Sequence, residues 1–137
     1  MALLSWSTQY LIGNPVIDSE HEELFRLINT FHDHWQEKHD PQEIARVLNQ
    51  LVRYAQMHFW HEEDIMQEAG YTALPEHMQA HETMVETIFR LRQLFEEKSI
   101  HLEMDAIKFA KSWLLDHILE NDYRFRDFLT RHKNLSA

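Results

Sequence analysis

The sequence has no cysteine, only two glycines and three prolines, and no long apolar run. Without thiols there can be no disulfide scaffold, iron–sulfur cluster or thiolate zinc site. The lack of cysteine also suits a reducing compartment. No apolar stretch approaches the roughly 20 residues that a membrane-spanning helix requires. The opening residues, MALLSWSTQYLIGN, lack both a basic n-region and a sustained apolar core, so no signal peptide is expected. Basic residues are in short supply as well: 13 Lys and Arg stand against 23 Asp and Glu, a formal net charge of −10. A surface this acidic repels nucleic-acid phosphates and anionic lipid heads, so neither nucleic acid nor membrane insertion is expected. These absences together predict a cytoplasmic protein.

A chain of 137 residues suits one compact domain that can bury its own core. Gly13, Gly70, Pro15, Pro41 and Pro75 punctuate it, and the stretches between them read as helices. A first helix is expected from a cap at Asp18 or Ser19 to about Lys38, with Leu24, Phe25, Leu27, Ile28, Phe31 and Trp35 on its inner face. Asp40-Pro41 is a cap followed by an N1 proline and opens a second helix, which Gly70 ends as a C′ glycine. Pro75 opens a third, carried by Met78, Val85, Ile88, Leu91 and Phe95. A fourth begins between Ser99 and Met104 and runs through Ile107, Ala110, Leu114, Ile118, Phe125 and Leu129. The patterns of strands are missing. The expected fold is all-α: an antiparallel up-down-up-down four-helix bundle with an N-terminal arm. The whole of 1–137 is expected to form a single domain, with the arm over about 1–17 and the bundle over about 18–132. Trp6, Tyr10, Leu11 and Ile12 make the arm too apolar to hang free, so it should pack over the bundle.

What the sequence has in plenty is histidine, 11 in all. Imidazole without thiolate directs attention to His and carboxylate metal sites. Residues four apart sit about 40° from alignment on a helix and can reach one centre. His58 and Glu62 are such a pair in the second helix, and His77 and His81 in the third. His117 and Asp122 are five apart, about 140° off axis in an ideal helix, so either Asp122 reaches around or the helix is locally under-wound as a π-bulge. His21 lies early in the first helix. Alternating helix directions bring all these groups to one level of the bundle, among the apolar Phe25, Phe59, Trp113, Leu114 and Ile118. Burying imidazoles and carboxylates there is costly unless something binds them, and a metal resolves that cost.

Five His and two carboxylates exceed the needs of one ion but suit two. With both carboxylates bridging, three His fill one ion and two leave the other a ligand short. A solvent-derived bridge then completes a six-coordinate and a five-coordinate pair, and the open position points to binding of a small molecule. Iron fits this donor set best, although zinc, copper and nickel also take imidazole.

The segments GNPVIDSEH ending at His21, HFWHEEDIM from His58, GYTALPEHMQAH from Gly70 to His81, and WLLDHILEND from Trp113 to Asp122 resemble the successive signatures of the hemerythrin family. The resemblance covers nearly the whole chain, Trp6 to about Phe128, and four pieces in order are far more specific than any one. It implies two iron ions joined by an oxo or hydroxo bridge. His77, His81 and His117 would ligate one iron and His21 and His58 the other, with Glu62 and Asp122 bridging. It implies reversible O2 binding at the iron of His21 and His58, for oxygen storage, transport or sensing, with NO or other small anions as further ligands. It also implies a monomer that is not an enzyme. The competing readings are a di-iron enzyme (a peroxidase, nitric-oxide reductase or iron oxidase), a sensor module, and a bundle storing zinc or another ion.

Spacing alone does not say whether His58 or His61 points inward; the resemblance selects His58. Glu62 is favoured over Glu63 because it lies four residues after His58, and the rest of Glu62-Glu63-Asp64 reads as an exposed face. His32 shares the face of His21 but lies roughly 16 Å along the axis. His34, His39, His101 and His132 are expected in solvent. Met57, Met66, Met78 and Met84 read as fillers of core or pocket, and Tyr54 and Tyr123 as core packing. No His-Glu pair has the second His of a zinc-protease motif, and the Glu-x-x-His motif of ferritin-like oxidases does not occur.

Overall fold

The computed structural model describes residues 4–37, 41–96 and 111–135. Helix α1 spans Pro15–Gln36, α2 Pro41–Glu68 and α3 Leu74–Glu96. Helix α4 is helical from 111, passes through a π turn at Ile118–Asp122 and continues over Tyr123–Leu135. No strand occurs among the described residues. Helix α2 packs on both α1 and α3. His21, early in α1, meets Glu62 late in α2, which in turn meets His77 at the start of α3. Helix α2 therefore runs against both neighbours, as expected of an antiparallel four-helix bundle. The Asp40 cap, the start of the fourth helix, Ile107, Ala110, His39, His101 and the side chains of Trp35, Phe95 and His132 lie outside the described residues.

Helix α1 starts four to five residues earlier than the sequence suggested, because Asn14-Pro15 is itself a cap and an N1 proline. The Asn14 Oδ1 accepts from the N–H groups of Val16 (3.0 Å) and Ile17 (3.1 Å). Asp18 turns back towards the arm instead, accepting from the N–H of Ile12 at 2.8 Å and of Gly13 at 3.3 Å. Gly13 takes φ +96°, a conformation that favours glycine. At the far end of α2, Gly70 (φ +72°) donates to the carbonyl of Gln67 and Tyr71 donates to that of Met66. This is the Schellman pattern, with Tyr71 and Met66 packed in one cluster.

The larger core lies between the helices and includes Phe25, Phe59, Trp113, Leu114 and Ile118, all buried. Burying a side chain of Phe59's size contributes roughly 1.5–3 kcal/mol. A smaller cluster joins Ile12 of the arm to Ile17, Met66, Tyr71, Phe125 and Phe128. The arm packs over the bundle: Leu4 and the Asn29 amide exchange two 2.8 Å hydrogen bonds, and Trp6 and Tyr10 meet the Phe25 ring edge-on. Leu11 is the exception and is exposed. Met66 and Met84 are buried as expected, but Met57 and Met78 lie on the surface. Each is one residue from an inward-pointing His, and one residue turns a helix by about 100°.

Candidate metal centre

Two α-helical spacings, one π turn and a lone histidine of α1 build the centre. His58 and Glu62 share one face of α2, and His77 and His81 share one face of α3. In α4 the under-wound turn Ile118–Asp122 brings Asp122 onto the face of His117, with Tyr123 N–H bonded to the carbonyl of Ile118, five residues back. The question left open by the 117/122 spacing is thus answered by the π-bulge. His21, His58, Glu62, His77, His81, His117 and Asp122 are all buried, none more than 3% exposed.

The carboxylates divide the imidazoles into a group of three and a group of two. Glu62 Oε1 lies 2.5, 3.0 and 3.4 Å from Nε2 of His77, His81 and His117. Its Oε2 lies 2.9 Å from Nε2 of His58 and 3.3 Å from that of His21. Asp122 repeats the division: Oδ1 is 3.1 Å from His77 and 3.2 Å from His117, and Oδ2 is 3.0 Å from His21. Each carboxylate thus offers one oxygen to either group, the disposition a bridge between two ions requires. One group of donor atoms comprises Glu62, His77, His81, His117 and Asp122, and a second comprises His21, His58 and Glu62.

On two of the five rings a carboxylate holds the outer nitrogen, which in the neutral ring leaves the inner one an acceptor. His58 Nδ1 donates to Glu20 Oε1 at 2.9 Å, and His81 Nδ1 donates to Glu63 Oε2 at 3.1 Å. The Asn121 amide nitrogen lies 3.3 Å from His117 Nδ1, and turning the amide over would let its oxygen accept from that ring nitrogen. A ring whose Nδ1 carries the proton presents a lone pair at Nε2. The Nε2 atoms of His81 and His117 approach to 3.1 Å, so without a proton or a cation between them two lone pairs would face each other across a buried gap. Nε2 of His58 and both oxygens of Asp122, closed off from solvent, make no hydrogen bond of adequate geometry. Left so, each would cost about 1–3 kcal/mol. Cations between the atoms satisfy all of them at once, and the donor set of imidazole and carboxylate fits iron.

Protons are the competing occupants. Burial pushes His21 down, but the Asp122 and Glu62 carboxylates outweigh it and carry the imidazole up to about 9. His117 rises to about 10 in the same way, against burial and chiefly through Asp122. His58 and His77 are also raised, against burial, by the carboxylates beside them. Burial raises Glu62, yet the surrounding imidazoles hold it well below the ordinary carboxylate range. Burial and Glu62 push Asp122 up, and His117 and His21 more than reverse this.

Two carboxylates outside the seven escaped the sequence reading. Glu20, buried beside His21 in α1, bonds both His58 and, at 2.6 Å, His61. Its only sequence signal is its place next to a ligand candidate, since both partners are on another helix. Glu63 is not simply part of an exposed face: it holds the outer nitrogen of His81, on the neighbouring helix. His61 is half-buried and joins the site through Glu20. His32 is half-buried with its Nδ1 lacking a hydrogen bond, and His34 Nδ1 bonds the carbonyl of Thr30. Tyr54 and Tyr123 pack against the core, and the Tyr123 hydroxyl also donates to the carbonyl of Gln9 in the arm.

Fold and site together define a four-helix bundle with a buried cation centre built from imidazoles and two shared carboxylates. The family model "Hemerythrin HHE cation binding domain" matches residues 13–129. Bacteriohemerythrin from Stenotrophomonas maltophilia is 30% identical, covering all of this chain and 88% of its own length. Its namesake from Methylococcus capsulatus is also 30% identical, over 89% of this chain and 93% of its own. A crystal structure of wild-type hemerythrin superposes with a TM-score of 0.84 at 28% identity, covering 92% of this chain and 97% of that one. The chain belongs to the hemerythrin family.

Proposed function

We propose that the chain holds two iron ions and binds O2 reversibly. His77, His81 and His117 hold one ion, His21 and His58 the other, and Glu62 and Asp122 bridge them. The carrying observation is the three-and-two division of the imidazoles about the paired carboxylate oxygens. When bound, the iron pair supplies the electrons and the free coordination position that O2 needs. The residues supply the rest. Glu20 and Glu63 fix the rings of His58 and His81 with Nε2 inward. Phe59 stacks on His81 with ring centroids 4.2 Å apart and lies edge-on to His117, so apolar surface covers these ligands. Trp113 has its indole N–H turned away to the carbonyl of Met84. Its only polar atom therefore brings no donor to the centre. An apolar lining delivers few protons to bound O2, which favours release over turnover and so a carrier over an oxidase.

No helix among the described residues is long and apolar enough to cross a membrane. We assign the protein, as a monomer of one domain, to oxygen storage, transport or sensing in the cytoplasm. The test is iron content together with the visible spectrum of anaerobically reduced protein, before and after O2 is admitted and then removed. Two irons per chain and a charge-transfer band that appears with O2 and fades on its removal support the carrier. Immediate oxidation to a stable ferric form, with turnover of peroxide, nitric oxide or ferrous ion, contradicts it in favour of the enzyme.

A further inference from the structure

A groove of about 650 Å³ runs between α2 and α3 on the outside of the bundle. Its apolar surface is unusually open: Trp60 is 73% exposed and Met78 46% exposed. Glu63, Glu82 and Glu86 line it, and no Lys or Arg does. Its floor is the metal centre's own outer wall. His81 and Phe59 both line the groove, Phe59 is stacked on His81, and Glu63 bonds the His81 Nδ1.

Three features specify the occupant. An exposed tryptophan beside a methionine is the composition of a protein-binding hot spot rather than of a solvated helix face. Carboxylates without counter-cations select a basic partner, and the formal charge of −10 draws such a partner in from a distance. A second copy of this chain would set the same carboxylates against each other. A path from groove to centre through one imidazole, His81, gives the contact a purpose.

We propose that the α2–α3 groove docks a basic electron-carrying protein, which restores the ferrous state of the iron pair through His81. This inference rests on the di-iron reading. Each carrier molecule is oxidised by one electron, and two such transfers return a di-ferric pair to di-ferrous. The groove receives an apolar side chain of the partner against Trp60 and Met78, ringed by Lys or Arg facing Glu63, Glu82 and Glu86.

Cytochrome c, with lysines around its haem edge, serves as the probe. Its binding to the full-length protein is titrated calorimetrically at low and high salt. The variants are Trp60→Ala and the double variant Glu82→Gln with Glu86→Gln, and Glu22→Gln with Glu120→Gln removes the same charge elsewhere. Groove variants are expected to weaken binding about tenfold or more, with the control pair near the parent. In a second measurement, anaerobically reduced protein is mixed with ferric cytochrome c, two per chain, or with the small anion hexacyanoferrate(III). The groove variants should slow haem reduction by a similar factor and leave the reaction with the small oxidant unchanged. No binding by the parent, or equal weakening by the control pair, overturns the docking site. Unaltered haem reduction in groove variants that bind weakly overturns the electron path. Iron content, measured on the same samples, reports separately on the di-iron reading.

Discussion

His117 and Asp122 are five residues apart in one helix and still meet, His117 Nε2 lying 3.2 Å from Asp122 Oδ1, because the turn between them is wound as a π-helix. An α-helix places residues four apart on one face, and the π turn absorbs one extra residue without rotating the rest of the helix. Phe125 and Phe128 therefore stay buried beyond it.

Removing one exposed residue from that turn should let it rewind as α-helix and leave Asp122 on the face of His117. Deletion of Glu120 is expected to retain both irons and to shift Tm by no more than about 5 °C, equivalent to about 1 kcal/mol in a domain of this size. Deletion of the exposed Met57 keeps His58 and Glu62 four apart but turns both about 100° relative to the buried face of Leu48, Leu51 and Ala55 earlier in α2, and should abolish iron binding. Iron analysis and thermal melts of the two proteins check this. Equal damage from both deletions would show that the bulge is not a simple one-residue insertion.

Glu20 and Glu63 each hold the outer nitrogen of a different group's imidazole. Glu20→Gln should weaken the ion of the two-imidazole group and Glu63→Gln that of the three-imidazole group, each by about 10–100-fold. Chelator competition followed ion by ion resolves the two sites. Loss of the same ion in both variants speaks against the assignment.

Metal uptake should release protons. His21 (about 9) and His117 (about 10) both titrate above neutrality in the absence of metal, so at neutral pH each carries a proton that ligation must displace. Glu62 and Asp122 are held below their ordinary range and have none to give. Affinity for metal should accordingly rise with pH until these imidazoles are neutral. Titration of metal-free protein in a weakly buffered indicator solution measures the release, and a constant indicator reading would refute it.

The start of α1 is a local test of how the arm is anchored. Asn14→Ala should cost about 1 kcal/mol in urea unfolding by removing the cap on Val16 and Ile17. Ser19→Ala, at an exposed helical position, should stay within about 0.5 kcal/mol. The reverse order would return the cap to where sequence pattern alone put it.

Features confined to one helix were legible in advance. The i, i+4 pairs His58/Glu62 and His77/His81, the C′ role of Gly70 and the α1 stripe from Leu24 to Phe31 stem from helical period and glycine chemistry, and these appear as read. The 117/122 spacing posed a choice that only the backbone could settle, since an α-helix and a π turn share the same sequence until they are wound. Contacts between helices were hidden. Glu20 looks like any acidic residue near a helix start until α2 sets His58 and His61 against it. Glu63 looks solvated until α3 presents His81. The exposed faces of Met57 and Met78 were misread because an apolar residue next to an inward-pointing one suggests burial, whereas helical rotation carries it outward.

The division of five imidazoles between two ions is the central claim. Anomalous diffraction at the iron edge, from crystals of the iron-loaded protein, tests it most directly. The arrangement predicts two peaks, one in contact with Nε2 of His77, His81 and His117 and the other with Nε2 of His21 and His58, with Glu62 and Asp122 touching both. A single peak, or a second one held by Glu20, His61 or Glu63, would contradict it.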